Sequence, residues 1–249
     1  MKKIIINADD CGINSIVNKA IERCIEHNEI TSTTIIANMD DFDGACRLYN
    51  KYKDKISFGV HLNLTEGKPL TPPKNLLACG IAEMKENGQV KFCGNRKRKR
   101  YFSKVQRKAI YKELNAQIYK IKESGITISH IDSHHHIHTD FWILIEVVKL
   151  AKIHKIPRIR IISNYTNKGL SFYARQIWCI ILRLMYPSVR FTNWFTSYTS
   201  FVMNQSDKMK ENQVLELMTH PGGYDPNESE LLSEKKYVSS FKKITYNQL

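Results

Sequence analysis

Short, β-branched apolar runs alternate with segments of helical period along almost the whole chain, and this alternation constrains the fold more than any single motif. The first run, KKIIINA, reads as a buried strand and breaks at DDCG. The next stretch opens on Asn14 as a helix cap, with Ile16, Val17, Ala20, Ile21, Cys24 and Ile25 at helical spacing. TSTTIIANM (31–39) and ISFGVHLNLT (56–65) read as the second and third strands, with a helical segment, DFDGACRLYNKY, between them. Further on come a long helix over 103–124, the strand ITISHIDSH and a helix over 140–154. The strand PRIRII (157–162), the helix GLSFYARQIWCIILRLMY and the late strand LELMTH (215–220) complete the pattern. Alternation of this kind predicts an α/β fold of βαβ units around a parallel sheet, open or closed into a barrel. In either form, functional residues collect beyond the C-terminal ends of the strands.

With 249 residues and 42% hydrophobic content, the chain can bury a sizeable core. We read it as a single domain over 1–249, with a polar insertion after the third strand at roughly 66–102. No stretch of about 18 or more uncharged apolar residues is present, so no membrane span is expected. The start, MKKIIINADD, resembles a signal peptide only superficially, because Asn7, Asp9 and Asp10 interrupt the apolar run. The six cysteines are scattered with no Cys-x-x-Cys pair, so a zinc ribbon is unsupported and free thiols in the cytoplasm are expected. Much of the net charge of +14 lies in NRKRKRYFSKVQRKAIYK and in the segment SEKKYVSSFKKITYNQ. No nucleic-acid motif accompanies it, and a solvated face is the simpler reading.

Four polar signals fall where apolar runs end. INADD places Asp9 and Asp10 after the first strand, and GVHLNLT places His61 near the end of the third. HIDSHHHIH (130–138) holds five of the nine histidines, and LMTHPGG places His220 after the last strand. Each has an ordinary structural reading: adjacent acids cap helices, lone histidines are often hydrogen-bonded structural residues, and His-Pro-Gly-Gly marks a turn. In a parallel barrel, however, these ends meet at one mouth. One carboxylate with two imidazoles is a common ligand set for Zn²⁺, Mn²⁺ or Fe²⁺, and a spare acid and a spare histidine supply a general base and a general acid.

NADDCG, TSTT, GVHLNLTEGKPL, HIDSHHHIH and MTHPGG occur in the order found in the YdjC-like carbohydrate deacetylases, which the chain resembles over about residues 2–224. The resemblance implies a distorted (β/α) barrel, one divalent metal ion (Mg²⁺ or Zn²⁺), an acetylated sugar or oligosaccharide as substrate, and a homodimer. It implies a hydrolase that removes an N-acetyl group by attack of metal-activated water. Carried over by motif, Asp10, His61 and His134 are the expected metal ligands, Asp9 the general base and His220 the general acid. Within the cluster, Asp132, His134, His136 and His138 would share one face of a strand, whereas His134 and His138 would pair on a helical turn. His136 and His138 are then supporting residues or substrate contacts, and Asp132 an acceptor that fixes a ligand's tautomer. Either Arg158 or Arg160 could keep Asp9 ionised, and Trp194, Phe195 and Tyr198 are sugar-stacking or core aromatics. The chain departs from the family at Cys11, where an aromatic residue is common, in the basic segment 95–108, and in its short end after HPGGYD. A metal-dependent phosphoesterase and a basic glycan- or nucleic-acid-binding protein with a degenerate site are the alternatives.

Overall fold

The computed structural model describes residues 1–94, 102–166, 169–204, 208–223 and 226–249. The basic run 96–100 lies outside them. The chain opens with β1 (Lys3–Cys11), α1 (Ser15–Glu26), β2 (Ser32–Ile35), α2 (Phe42–Tyr52) and β3 (Ser57–Leu62). Local chemistry sets these boundaries: the side chain of Asn14 accepts the Val17 N–H and starts α1, and that of Asp41 accepts the Gly44 N–H and starts α2. The described part of the polar insertion has structure of its own, a short α3 (Lys74–Ala78) and an antiparallel hairpin of β4 (Ala82–Met84) and β5 (Val90–Phe92). It is fastened to α4 (Lys104–Glu123), whose buried Glu113 accepts the backbone N–H groups of Leu70 and Thr71. A reciprocal Ser103–Gln106 capping box begins α4.

The second half comprises β6 (Ile131–Ser133), a 3₁₀ turn over His134–Thr139, α5 (Phe141–Ile153), α6 (Gly169–Met185), β7 (Trp194–Ser197), α7 (Tyr198–Asn204), β8 (Val214–Thr219), α8 (Pro226–Ser233) and β9 (Lys242–Lys243). The main sheet runs β6-β3-β2-β1-β8-β7 and every neighbouring pair is parallel. β9 lies beside the first residues of β1, pairing Lys3 with Lys242 and Ile4 with Lys243. The segment 158–165 spans the space between the outer strands. Arg160 N–H donates to Ile131 O and Ile131 N–H to Arg158 O on the β6 side, while Asn164 and Tyr165 N–H donate to Phe195 O on the β7 side. The expected distorted barrel is therefore present. The expected strand at 157–162 is reduced to isolated bridges, Ile131 with Ile159 and Arg158 with Arg190, because the segment changes partner within a few residues and forms no ladder.

Ile4, Ile5 and Ile6 of β1 are all buried, as both faces of a covered parallel strand must be. Ile4 and Ile6 join the large core beneath the helices, whereas Ile5 packs with Val214, Ile244 and Tyr246 in a separate cluster. One helix is unlike the rest. α6 turns Leu170, Tyr173, Ile177, Ile180, Leu184 and Met185 toward solvent. Its charged residues, Arg175 and Arg183, donate instead to the backbone carbonyls of Ser163 and Thr192. No described helix is long and apolar enough to cross a membrane.

Candidate active site

The polar residues singled out in the sequence meet at the C-terminal ends of the strands. Simple alternation along β1 would send Asp9 and Asp10 to opposite faces. The strand avoids this with a register shift between Ala8 and Cys11 in its pairing with β2, and with a left-handed backbone at Asp10 (φ 67°).

 Asp9, like Asn7, then faces the barrel interior, and Asp10 is turned to meet the histidines. Cys11 is fully buried in the core, with its thiol donating to Asn18 Oδ1 at 3.6 Å, so this departure from the family pattern falls behind the site rather than in it.

Asp10, His61 and His134 converge. Asp10 Oδ1 lies 3.2 Å from His61 Nε2 and 2.8 Å from His134 Nδ1. One ligand atom from each of the three lies within 4.8 Å of the others. His61 Nδ1 donates to Asp132 Oδ1 at 2.7 Å, which leaves its Nε2 directed at Asp10. A carboxylate behind an imidazole in this way fixes the tautomer and the ring orientation of a metal ligand. His134 Nε2, in contrast, is buried with no hydrogen-bond partner. Two imidazoles and one carboxylate, drawn together around a common point, suit a divalent cation. Burial pushes the His61 imidazole down, but Asp132 and Asp10 beside it lift it to about 10. Burial pushes the Asp10 carboxyl up, and hydrogen bonds from His134 and His61 override it and hold the group well below the usual carboxylate range. Without a cation, the site keeps its charge balance with a proton on His61. A cation would displace that proton.

Beside this trio lies a buried ionic network centred on Arg160, which is 1% exposed. Its Nη1 and Nη2 donate to Asp9 Oδ2 and Oδ1 at 2.6 and 2.7 Å, Nη2 also reaches Asp132 Oδ2 at 2.8 Å, and Nε donates to Glu216 Oε1 at 2.7 Å. Of the two arginines in PRIRI, then, Arg160 pairs with Asp9, whereas Arg158 donates to the carbonyls of Ser129 and Asn247. Burial alone would raise the Asp9 carboxyl, but the Arg160 guanidinium holds it well below the usual carboxylate range. Glu216 is pushed up to about 7 by burial, against the pull of Arg160. Its other oxygen accepts the Tyr246 hydroxyl, and the Tyr246 ring stacks on His130 with centroids 3.5 Å apart. Glycine at 59 makes room for that imidazole, since a Cβ there would come within 2.5 Å of the His130 ring. Asn7, Glu216, Tyr246 and Thr34, which donates to Asp132 Oδ2 at 3.0 Å, are the supporting residues that sequence reasoning missed. Polar residues inside otherwise apolar strands, such as Asn7 in IIINA and Glu216 in VLELMT, were the available signal.

The histidine cluster adopts neither of the regular forms expected of it. His135 and His136 have left-handed backbone (φ 51° and 54°), so the turn is neither strand nor regular helix. The Ser133 hydroxyl pins the turn by accepting the His138 N–H. His138 is buried, its Nδ1 against the Ser133 hydroxyl and its Nε2 donating to Arg160 O at 3.2 Å. It supports Arg160 rather than facing the mouth. His136 lies edge-on to Phe195, and burial and the charge of Arg160 lower its imidazole to about 4. Phe195 lies under the Arg160 guanidinium and Tyr198 is fully buried, which gives both aromatics core roles. Trp194 donates its indole N–H to Gln213. His220 follows β8, with Nδ1 3.7 Å from Glu228 Oε2. Burial lowers its imidazole, but Glu228, Asp9 and Asp10 outweigh this and leave it raised.

A family model described as YdjC-like protein matches residues 3–246. The chain belongs to the YdjC-like family. A relative from Oceanobacillus iheyensis, named carbohydrate deacetylase, is 29% identical over 245 residues, covering 95% of this chain and 94% of the relative. A carbohydrate deacetylase from Vibrio parahaemolyticus is 38% identical over 157 residues, which is 62% of this chain, and the match spans 57% of the relative's length. Among solved structures, an Enterococcus faecalis protein named for cellobiose-phosphate cleavage superposes with a TM-score of 0.77 at 24% identity, covering 99% of this chain and 98% of that one. The Xyl-CE4 domain of a multidomain xylanase from a termite hindgut metagenome superposes with a TM-score of 0.50 at 10% identity, covering 99% of this chain and 88% of that one. These structural likenesses speak to the fold alone.

Proposed function

We propose that this YdjC-like chain is a carbohydrate deacetylase that hydrolyses an N-acetyl group on an acetylated sugar or oligosaccharide. The observation that carries the reading is the adjacency of two differently furnished halves: the Asp10–His61–His134 trio and the Arg160-tethered Asp9. We assign the trio as the ligands of one divalent ion. Two imidazoles and a carboxylate suit Zn²⁺ better than Mg²⁺, which prefers oxygen donors. Such an ion supplies Lewis acidity toward the acetyl carbonyl and lowers the pKa of water.

The chain's own residues supply the proton handling. Asp9 stays ionised because Arg160 grips both of its oxygens, and it accepts the proton of the attacking water. His220, held protonated by the surrounding carboxylates, donates to the departing sugar nitrogen, because an unprotonated amide nitrogen is a very poor leaving group. Asp132 ties the halves together, since it accepts from His61 and from Arg160 at once. Free thiols at all six cysteines suit a cytoplasmic setting.

The partner we assign is a second copy of the chain, docked on α6. The exposed face of that helix is apolar over its length in a molecule of net charge +14, so two copies can approach there without opposing like charges. Acetate release from a panel of N-acetylated mono- and oligosaccharides, with Zn²⁺, Mg²⁺ or no added ion and with phosphate esters in parallel, tests the activity. Ion-dependent acetate release is expected. Turnover of phosphate esters without acetate release replaces the deacetylase reading with the phosphoesterase one.

A further inference from the structure

The two histidines of the trio are not equally supported. His61 has Asp132 behind it, in a hydrogen bond of 2.7 Å. His134 presents Nδ1 toward Asp10, and its Nε2 is buried with no hydrogen-bond partner. An imidazole that gives its Nδ1 lone pair to a cation carries its proton on Nε2, and a buried N–H needs an acceptor. Among the described residues, a carboxylate oxygen that lies close to it is Glu66 Oε1, 3.5 Å away. We propose that Glu66 is a positioning residue that accepts the His134 Nε2–H, as Asp132 accepts the Nδ1–H of His61, and so sets the orientation of the second imidazole. This rests on the assignment of one ion to Asp10, His61 and His134.

The local structure is suited to the task. Glu66 begins the polar insertion four residues after the end of β3, and its backbone is fixed at both polar groups. Its N–H donates to Asn63 Oδ1 at 3.1 Å, and its carbonyl accepts from Asn63 Nδ2 at 2.8 Å and Asn38 Nδ2 at 3.1 Å. The carboxylate therefore swings on a short arm from a fixed base. Its side chain is 43% exposed, which leaves it an open side, and only a small rotation is needed to shorten 3.5 Å to an ordinary hydrogen bond. His135 Nε2 lies 3.8 Å from the same oxygen, and its other nitrogen meets Thr65 Oγ1 at 2.9 Å. Glu66, His134 and His135 also form a group that could itself hold a cation. One feature argues against a second ion. His134 would have to bind both ions, one on each nitrogen, and so give up its last ring proton, whereas a carboxylate acceptor leaves it an ordinary neutral imidazole.

The experiment is calorimetric titration of the chelator-stripped chain with Zn²⁺, with the visible spectrum of the Co²⁺-loaded protein as a second readout. One site per chain is expected for the parent. Glu66→Ala should keep that one site with affinity about 10–100-fold weaker, the usual loss when a ligand's outer hydrogen-bond partner is removed, and should alter the Co²⁺ spectrum. Glu66→Gln keeps an acceptor oxygen and should restore most of the affinity, which a merely structural role would not predict. Thermal melting of the stripped Glu66→Ala chain should match the parent and so show that the fold is intact. Unchanged affinity and spectrum in Glu66→Ala overturn the proposal while leaving the ion assignment standing. Two sites in the parent, falling to one in His135→Ala, overturn it in favour of a ligand role for Glu66. A parent that takes up no ion removes the ion assignment and this proposal together.

Discussion

Replacing Arg160 by methionine keeps an unbranched side chain of similar reach and removes its charge. In the parent that charge faces Asp9, Asp132 and Glu216 in a space closed to solvent. Breaking a buried ion pair by deleting one partner costs about 3–5 kcal/mol, because the partner left behind has neither water nor a counter-charge. For a chain of this size, each kcal/mol lowers Tm by roughly 2–4 °C, so the variant should melt about 6–20 °C below the parent at pH 7.5. The pH dependence separates charge from packing. Arg160 depresses the folded-state value of Asp9, so the stabilisation is fully present above the unfolded carboxylate value of about 3.9 and is lost as pH falls through the folded one. In the variant, burial is opposed only by the lesser pull of His61 and His220 and raises Asp9 relative to the parent, so acid neutralises the stranded carboxylate and relieves the variant as pH falls. The gap in Tm should therefore narrow between pH 7.5 and pH 4.5, measured by circular dichroism with chelator present in every sample. A gap under about 2 °C at neutral pH, or one that does not change with pH, refutes the assignment of Arg160 as the charge that holds this network.

Three further outcomes are expected. His61→Ala and His134→Ala should each lose the bound ion on dialysis, as read by elemental analysis, and full occupancy in both would remove them as ligands. If His220 works protonated, activity is present below its raised value and lost as pH rises through it, and Glu228→Gln, which removes one of the raising carboxylates, should move that alkaline limb of kcat to lower pH. An unmoved limb would dissociate His220 from it. The paired substitution Ile177→Glu and Leu184→Glu on α6 should convert a dimer to a monomer by light scattering without loss of helix content, and a monomeric parent would remove that interface.

The alternation of apolar runs made the parallel sheet legible, because covered parallel strands write themselves as continuous β-branched runs. The site was legible in its ends, since Asp9, Asp10, His61, His134 and His220 all stand where an apolar run stops. What the sequence concealed was contact across the barrel. Nothing local marks Arg160 over Arg158, because the choice depends on which of the two side chains points inward from a segment that forms no regular strand. Tyr246 lies far along the chain from Glu216 and His130 and carries no motif. The histidine cluster was misleading for a different reason. Periodicity assumes repeating dihedral angles, and His135 and His136 both leave them.

The position of β1 also bears on how the molecule is made. Its isoleucines leave the ribosome ahead of β2 and can pair with it after only a short length of chain. Their other neighbour, β8, spans Val214–Thr219, so one edge of this isoleucine-rich strand waits unpaired until all the elements between the two have left the ribosome. Exposed strand edges of this composition recruit other strands, and pairings so distant in sequence form slowly. β9 and Tyr246 come later still and complete the floor beneath Glu216. Premature release of the nascent chain anywhere before β8 should thus yield a sticky half-sheet, and trimming the residues after Ser239 should leave the Arg160 network without its last hydrogen bond.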